Sequence, residues 1–290
     1  MKTEAGGRWG RGGPGTLGVA ARPRDLLVVG GGPAGLELAA LAAESGHRVS
    51  LWEADGRLGG QLATVASAPS FERYGDYIGW QERRLSRLGV EVRLNERADV
   101  ASVLDHDPDV VAVATGARPH RPLLPGFDLP HVVDAAEVVA GSVVVGKSVA
   151  IIARDDHLPP LTVADMLSGR GHQVTLIYGA PTPGQSLGRY IAGGILARLH
   201  RRGVEFRQLE EVRSITPQSL EVRNVYSFAS DRLTGFESVV LACGADSDDA
   251  LFQELRGRVP ELHVLGDAFA PRRLSHVTRQ AYALAEALVD

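Results

Sequence analysis

The sequence predicts an α/β protein with two doubly wound domains, the second inserted in the first. Three observations predict this fold. Over residues 25–53, a β-branched apolar run is followed by a glycine turn, an amphipathic helix and a second apolar run. A second strand–helix–strand pattern covers 147–178, and fully buried, parallel-type strands return at Val239–Ala242 and His263–Leu265. This alternation is typical of parallel sheets covered by helices on both faces.

The composition is that of a globular protein and argues against several functions. The 290 residues are 44% apolar and 23% charged, and the net charge of −4 gives no reason to expect nucleic acid or a membrane surface as partner. Glycines, Pro33 and Glu37 interrupt the longest apolar run, so we expect no membrane span. We expect no signal peptide either, because no n-region, h-region and cleavage site precede that run in the required order. One cysteine, Cys243, excludes an intrachain disulfide and a four-thiolate iron–sulfur site. We therefore expect a cytoplasmic protein without a metal site.

The chain divides into a tail and two domains. Residues Met1–Arg24 are rich in Gly and Arg and lack apolar periodicity, which predicts a flexible tail or linker remnant. The first domain is expected at 25–140 plus 237–290, and the inserted nucleotide-binding domain at 141–236.

Apolar periodicity predicts the individual elements. The helix Pro33–Glu44 carries Leu36 and Ala40 on one face and ends before Gly46, a position that favours glycine. The other predicted helices are Glu72–Leu88, Leu161–Leu167, Leu187–Arg201 and Ser275–Val289. The other predicted strands are Val90–Leu94, Asp109–Ala114, Lys147–Ala153, Gln173–Tyr178, Val204–Gln208 and Ser219–Val225.

The first glycine turn has the spacing of a Rossmann-like dinucleotide site. In G-x-G-x-x-G, Gly30 permits the tight turn, Gly32 lets a pyrophosphate approach the backbone, and Gly35 lets helix and strand pack closely. The helix that starts near Pro33 directs free N–H groups and its positive dipole end at the phosphates. Glu53 ends the next strand, where it can accept hydrogen bonds from a ribose. Because strand, turn, helix and acid are all in place, the sequence predicts a dinucleotide site.

Further motifs accompany this turn. Each alone reads as an ordinary turn or helix cap, but together and in this order they indicate a ligand at the carboxyl edge of a parallel sheet. They are Leu58-Gly59-Gly60-Gln61, Ala114-Thr115-Gly116, Gly266-Asp267 and Ala270-Pro271-Arg272.

With GGGPAG, LGGQ, ATG and GD all present, the chain resembles the flavoproteins with two dinucleotide-binding domains. It is most similar to the C-terminal FAD/nucleotide module of the Old Yellow Enzyme-like dehydrogenases, of the trimethylamine dehydrogenase and dienoyl-CoA reductase type. The resemblance covers about 22–289 and is closest in RLGGQL, GVEVRLN, VAVATGARP and GDAFAPRRL. Full-length members carry an N-terminal FMN-binding barrel with an iron–sulfur site, and no counterpart of that barrel is expected in this chain.

The resemblance implies FAD at the first site and a role for each motif. The pyrophosphate would be held by Gly30, Gly32, Pro33, Ala34 and Gly35. The adenosine ribose would bind Glu53, the backbone at Ala98 would meet adenine, and Thr115 and Gly116 would close over the diphosphate. The ribityl and flavin side would be lined by Arg57, Gly60, Gln61, Asp267 and the helix N-terminus near Val277. No catalytic residue is identified, and His157 and His276 are interpreted as surface histidines.

The second strand–helix turn differs from a nicotinamide site. Ala153–Pro160 contains no glycine, and Asp155 and Asp156 would repel two phosphates. The next strand ends in Tyr178-Gly179, so the acid expected on a ribose is absent too. These residues predict that neither NADH nor NADPH is the natural donor there. By resemblance to the trimethylamine dehydrogenase branch, the site holds ADP or is vestigial; acceptance of NADH despite the altered turn stays open as the alternative.

Three functions stay open at this point. The first is an FAD-binding oxidoreductase subunit that passes electrons between its flavin and a separately encoded partner, an FMN-barrel or iron–sulfur protein, in a hetero-oligomer. The second is a free-standing NAD(P)H-dependent flavin reductase or diaphorase. The third is a non-catalytic assembly subunit that binds FAD or ADP.

Overall fold

A computed structural model describes residues 17–69, 71–154 and 158–289. The described chain forms two compact units, each an α/β structure with a parallel sheet. Unit 1 comprises the described residues within Met1–Ala63, Tyr74–Arg118 and Ser247–Asp290; unit 2 comprises those within Thr64–Arg73 and Pro119–Asp246. The predicted fold class, two Rossmann-like doubly wound domains, is confirmed. The exact domain limits inferred from the sequence, and the flexible tail inferred for Met1–Arg24, remain predictions; residues 1–16 of that tail lie outside the described residues.

Strands and helices alternate through most of the described chain. Its strands are β1 Asp25–Val29, β2 Arg48–Glu53, β3 Glu91–Leu94, β4 Val110–Val113, β5 Ala117–Pro119, β6 Val132–Asp134, β7 Ser148–Ala153, β8 Gln173–Tyr178, β9 Glu205–Gln208, β10 Glu210–Ile215, β11 Ser219–Asn224, β12 Ser230–Thr234, β13 Ser238–Ala242, β14 Ala245–Ser247 and β15 Glu261–Val264. Its helices are α1 Pro33–Glu44, α2 Gly60–Val65, α3 Arg73–Arg87, α4 Val100–His106, α5 Ala135–Ala140, α6 Leu158–Gly169, α7 Arg189–Arg201, α8 Ala250–Leu255 and α9 Leu274–Ala287, and a 3-10 turn covers Gly266–Ala268.

The sheet of unit 1 has the order β15-β4-β1-β2-β3, with every neighbouring pair parallel. From β1 the chain moves outward in one direction to β2 and β3, and β4 then pairs on the opposite side of β1. The order therefore reverses between β1 and β4. In sheets of this kind the crevice at such a reversal, beyond the carboxyl ends of the strands, is where ligands bind.

Helices cover both faces of this sheet, which explains why β1 reads as a continuous apolar run. Leu26 and Val28 pack in one core with α1 and α9, whereas Leu27 and Val29 pack in a second core that includes Val103 of α4. A strand buried on both faces has no polar alternation.

The strand predicted at His263–Leu265 is parallel, but the expectation that it is fully buried was wrong. β15 covers Glu261–Val264, and each of its four residues is only partly buried. The reason is its place in the sheet, because β15 pairs with β4 on one side and forms the edge on the other.

Unit 2 repeats the parallel arrangement in the order β6-β13-β7-β8-β9. One face packs against α6, which is buried along nine of its twelve residues. The other face packs against an antiparallel sheet, β10-β11-β12, through Ile152, Ile177 and Leu220. The sequence predicted only β11 of that sheet.

An ion-pair cluster joins α6 to α7 in unit 2. The Asp165 carboxylate is 6% exposed and accepts hydrogen bonds from Arg198 Nη2 at 2.7 Å and from Arg202 Nη1 at 2.6 Å. Two guanidinium groups therefore hold one buried carboxylate, which fixes the position of α7 on α6.

A second cluster, in unit 1, ties the start of the described chain to its end. The Arg24 backbone N–H donates to His47 Nδ1 at 3.2 Å. The Arg24 guanidinium pairs with Glu261 at 2.6 Å and donates to the Leu288 carbonyl at 3.1 Å. We call Arg24, His47, Glu261 and Leu288 the terminal clasp.

In the described ranges, none of the helices has the length and apolar character that crossing a membrane requires.

Candidate functional site

The glycine turn after β1 is built around close backbone approaches. A Cβ on Gly30 (φ +108°) would lie 2.3 Å from the Ala114 carbonyl oxygen, and one on Gly35 would lie 1.9 Å from the Gly30 carbonyl oxygen. Only glycine fits at either position. A Cβ on Gly32, in contrast, would meet no atom within 4 Å. Gly32 thus leaves open space over the start of α1, where Pro33 and Ala34 form the first turn.

Glu53, the last residue of β2, is 8% exposed and reaches back to this turn. Its Oε2 accepts the Gly31 backbone N–H at 2.6 Å, and its Oε1 accepts that of Asp55 at 2.7 Å. Each carboxylate oxygen has a further lone pair, so the acid can still accept a hydroxyl group.

The Gly59–Gly60 pair packs directly onto the first glycine turn. Gly59 N donates to the Gly31 carbonyl at 2.8 Å. A Cβ on Gly60 would stand 3.2 Å from Gly32 Cα. Beyond the pair, Gln61 Nε2 donates to the Ala117 carbonyl at 3.2 Å, and the Arg57 side chain is exposed.

The segment before α4 offers free backbone groups. Ala98 packs against the core that contains Trp52, and Asp99 caps α4. Within the described residues, no hydrogen bond uses the N–H or C=O group of Ala98. These two groups can pair with the edge of a base.

The end of β4 lies beside the glycine turn. Ala114 N donates to the Val29 carbonyl at 2.7 Å, which places Thr115 and Gly116 just past the reversal of strand order. The Thr115 hydroxyl donates to the Asp248 carbonyl, and Gly116 has φ +84° with open space on its Cβ side.

The 3-10 turn after β15 completes the site. A Cβ on Gly266 would lie 2.7 Å from Ala34 Cβ, so this turn contacts the start of α1. Asp267 Oδ1 accepts the Arg272 backbone N–H at 3.1 Å, and burial raises the pKa of Asp267 above its usual value. Val277 lies in the first turns of α9, which begins at Leu274, and is buried against α1.

The structure therefore brings most of the predicted site residues of unit 1 to one region, the carboxyl edge of the sheet at β1 and β4. Their individual roles remain predictions. Sequence reasoning assigned no role to three residues that shape the site: Gly31, Gly59 and Gln280, whose Oε1 accepts the Gly266 N–H at 2.9 Å. The GGG and LGGQ runs contain the first two, but Gln280 is fourteen residues from its partner and carries no local signal.

Unit 2 has no comparable glycine turn among its described residues. β7, the strand that leads into α6, ends at Ala153 and α6 begins at Leu158; Asp155, Asp156 and His157 lie outside the described residues. Cys243 follows β13, is buried, and donates to the Ile152 carbonyl at 3.6 Å. Burial raises the pKa of its thiol to about 11.

No grouping of three or more His, Cys, Asp or Glu side chains suited to a metal ion occurs in the part of the chain that the structure describes. The donors that converge at the edge of unit 1 are mostly backbone N–H groups, and backbone N–H groups at a helix start bind anions rather than cations.

Fold and site together define a doubly wound dinucleotide-binding protein. The chain belongs to the FAD dependent oxidoreductase family, whose model matches residues 25–176. Its cofactor is FAD, as the sequence predicted.

Three similar proteins agree with this assignment. The N,N-dimethylglycine/sarcosine dehydrogenase of Chromohalobacter salexigens is 32% identical over 80% of this chain and 35% of its own length. The NADH oxidase of Thermoanaerobacter brockii is 30% identical over 85% of this chain and 38% of its own. The structure of histamine dehydrogenase from Rhizobium sp. 4-9 superimposes with a TM-score of 0.87 at 25% identity, covering 95% of this chain and 45% of that one. The chain spans less than half the length of each.

The residues present fit FAD. The open space over Gly32 admits a pyrophosphate, Glu53 is placed at the strand end for a ribose, and the free backbone groups of Ala98 suit an adenine edge. When bound, the flavin supplies the reversible uptake of electrons. The groups of this chain that would hold and orient it are the glycine backbone, Glu53 and Asp267.

Proposed function

We propose that this chain is the FAD-binding part of an oxidoreductase and that it passes electrons between its flavin and a separate redox protein. The observation that carries the proposal is the cradle of Gly30, Gly32, Gly35 and Glu53 at the strand-order reversal of unit 1. The relatives are more than twice as long as the region they share with this chain, so further domains accompany that region in those proteins. The partner proposed here, an FMN-barrel dehydrogenase or iron–sulfur protein, would supply the substrate chemistry.

Flavin content and turnover test this proposal. We expect the purified protein to be yellow, to release about one FAD per chain on denaturation, and to bleach with dithionite. We further expect the isolated chain not to oxidise small amines or reduce small enoates. A flavin-free protein would overturn the cofactor role, and steady turnover of a small substrate by a strict monomer would overturn the need for a partner.

We also propose that unit 2 does not take NADH or NADPH as natural donor and that its site accepts an adenine nucleotide at most. The absence of glycine from Ala153 to Pro160 in the sequence supports this, because a pyrophosphate approaches the backbone closely only where glycine leaves out the side chain. Tyr178 stands where a ribose-binding acid is expected.

Anaerobic mixing tests the second proposal. The FAD-loaded protein is mixed with NADH and, separately, with NADPH, while dithionite in a matched cuvette defines complete reduction. We expect no rapid loss of flavin absorbance with either nucleotide. Rapid bleaching would favour the diaphorase function instead, for which the similarity to a protein named NADH oxidase is the specific argument.

A further inference from the structure

A small cavity of about 180 Å³ in unit 1 lies at the start of α9 and has a basic wall. Its lining includes Arg272, His276 and Arg279, all exposed, together with Phe269. We call these four residues the basic rim. No acidic residue occurs between Asp267 and Glu286, so the rim is locally cationic in a chain whose net charge is −4.

The two arginines of the rim have no carboxylate partner in the part of the chain that the structure describes. Among the described residues, neither Arg272 nor Arg279 makes an ion pair, whereas Arg24, Arg48 and Arg84 each pair with a carboxylate. Arg272 instead lies over the Phe269 ring at 5.2 Å, and that ring is 53% exposed. Exposed arginine and aromatic side chains of this kind are enriched where proteins bind one another.

The rim adjoins the dinucleotide cradle. Gly266 lines the cavity and also contacts the start of α1 through Ala34. Asp267, the residue expected on the ribityl chain, accepts the backbone N–H of Arg272. A protein seated on the rim would therefore lie beside the flavin site of unit 1.

We propose that the basic rim is the docking surface for the redox partner and that the partner presents an acidic face to it. This inference rests on the proposed function and names the chemistry of its partner. Complementary charge directs encounter and fixes orientation, and such contacts weaken as salt screens them. Phe269, covered by Arg272, supplies the apolar centre of the contact.

Binding of two small redox proteins of opposite charge tests the proposal. The probes are cytochrome b5, which is acidic, and cytochrome c, which is basic; binding to the FAD-loaded protein is measured by fluorescence anisotropy at low and high salt. The double variant Arg272→Glu/Arg279→Glu reverses the charge of the two arginines of the rim. The control, Arg83→Glu/Arg87→Glu, makes the same charge change on exposed arginines of α3.

For cytochrome b5 we expect the rim variant to raise Kd about 10-fold or more at low salt and the control to change it less than about 2-fold, with the difference lost at high salt. Cytochrome c should bind the rim variant better than the wild type. Equal effects of both variants, or none, would overturn the proposal.

Flavin content separates this inference from the proposed function. Arg279 lies outside the motifs assigned to the cofactor site, so the flavin spectrum and FAD affinity of the single variant Arg279→Glu should match those of the wild type, while its cytochrome b5 binding at low salt should still be weakened. If Arg279→Glu loses FAD while remaining folded, Arg279 belongs to the cofactor site and the docking proposal is wrong. A wild type without FAD would instead contradict the proposed function.

Discussion

At the scale of single residues, substitutions of Glu53 give the clearest test of the proposed FAD site. We expect Glu53→Arg to raise the Kd for FAD about 100-fold or more, because it replaces a buried acceptor by a cation beside the glycine turn. Glu53→Gln keeps the shape and should cost about 10-fold. Titration of the apoprotein by flavin fluorescence measures both. The exposed Glu82→Arg is the control, and unchanged FAD affinity in Glu53→Arg would remove Glu53 from the site.

Two glycines of one turn should respond in different ways to alanine. At Gly32 a methyl group enters open space, so Gly32→Ala should leave the apoprotein within about 1 kcal/mol of its stability while weakening FAD at least about 10-fold. At Gly35 the methyl group meets a carbonyl oxygen, so Gly35→Ala should lose about 3 kcal/mol or more. Thermal unfolding and FAD titration of both variants separate the effects. Equal stability loss in the two would contradict this reading of the turn.

The contrast between these glycines shows what the sequence reveals at this scale. Spacing alone identified Gly30, Gly32 and Gly35, since the motif is local. It did not identify buried Arg84 and Gln81 on α3, because their partners Glu44 and Glu37 lie forty or more residues earlier in the chain. Tertiary pairs of this kind leave no periodic signal.

At the scale of elements, the α6–α7 contact depends on Asp165. Asp165→Ala should lower the free energy of unfolding by about 2 kcal/mol, less than for a fully buried pair because both arginines are partly exposed. Urea titration measures the loss. Asp231→Ala breaks an exposed pair with Arg207 and should cost about 0.5 kcal/mol or less. Similar losses of unfolding free energy in the two variants would show that burial of the Asp165 carboxylate does not strengthen its ion pairs.

Element lengths were predictable where a helix or strand is long and evenly periodic. The predicted helix Glu72–Leu88 is α3, and Ser275–Val289 is α9, each within two residues. The short helices α2, α5 and α8 were missed, since six residues carry less than two turns of pattern. β12 was missed because its residues are mostly exposed and polar.

At the scale of the molecule, the terminal clasp predicts a pH dependence. Burial lowers the pKa of His47 below its ordinary value near 6.5, and the positive charge of Arg24 lowers it further. The folded state therefore favours neutral His47. The stability that this provides is complete above about pH 6.5 and is lost as the pH falls through the lowered pKa of the folded state.

We accordingly expect Tm to fall between pH 7.5 and pH 5.5, and to fall less in His47→Asn, which keeps an acceptor for the Arg24 N–H. Thermal scans across this range measure the slope. His276→Asn, at an exposed histidine, should retain the wild-type slope. If both variants keep that slope, the clasp is not its source.

The buried Cys243 has a practical consequence for spectroscopy. It is the one thiol of the sequence, and with its pKa raised to about 11 it holds almost no thiolate at neutral pH. Maleimide reagents should therefore leave the folded native protein unmodified. A cysteine introduced at an exposed position such as Val144 would then be the single labelling site, so fluorophores or spin labels can be attached without first removing a native residue.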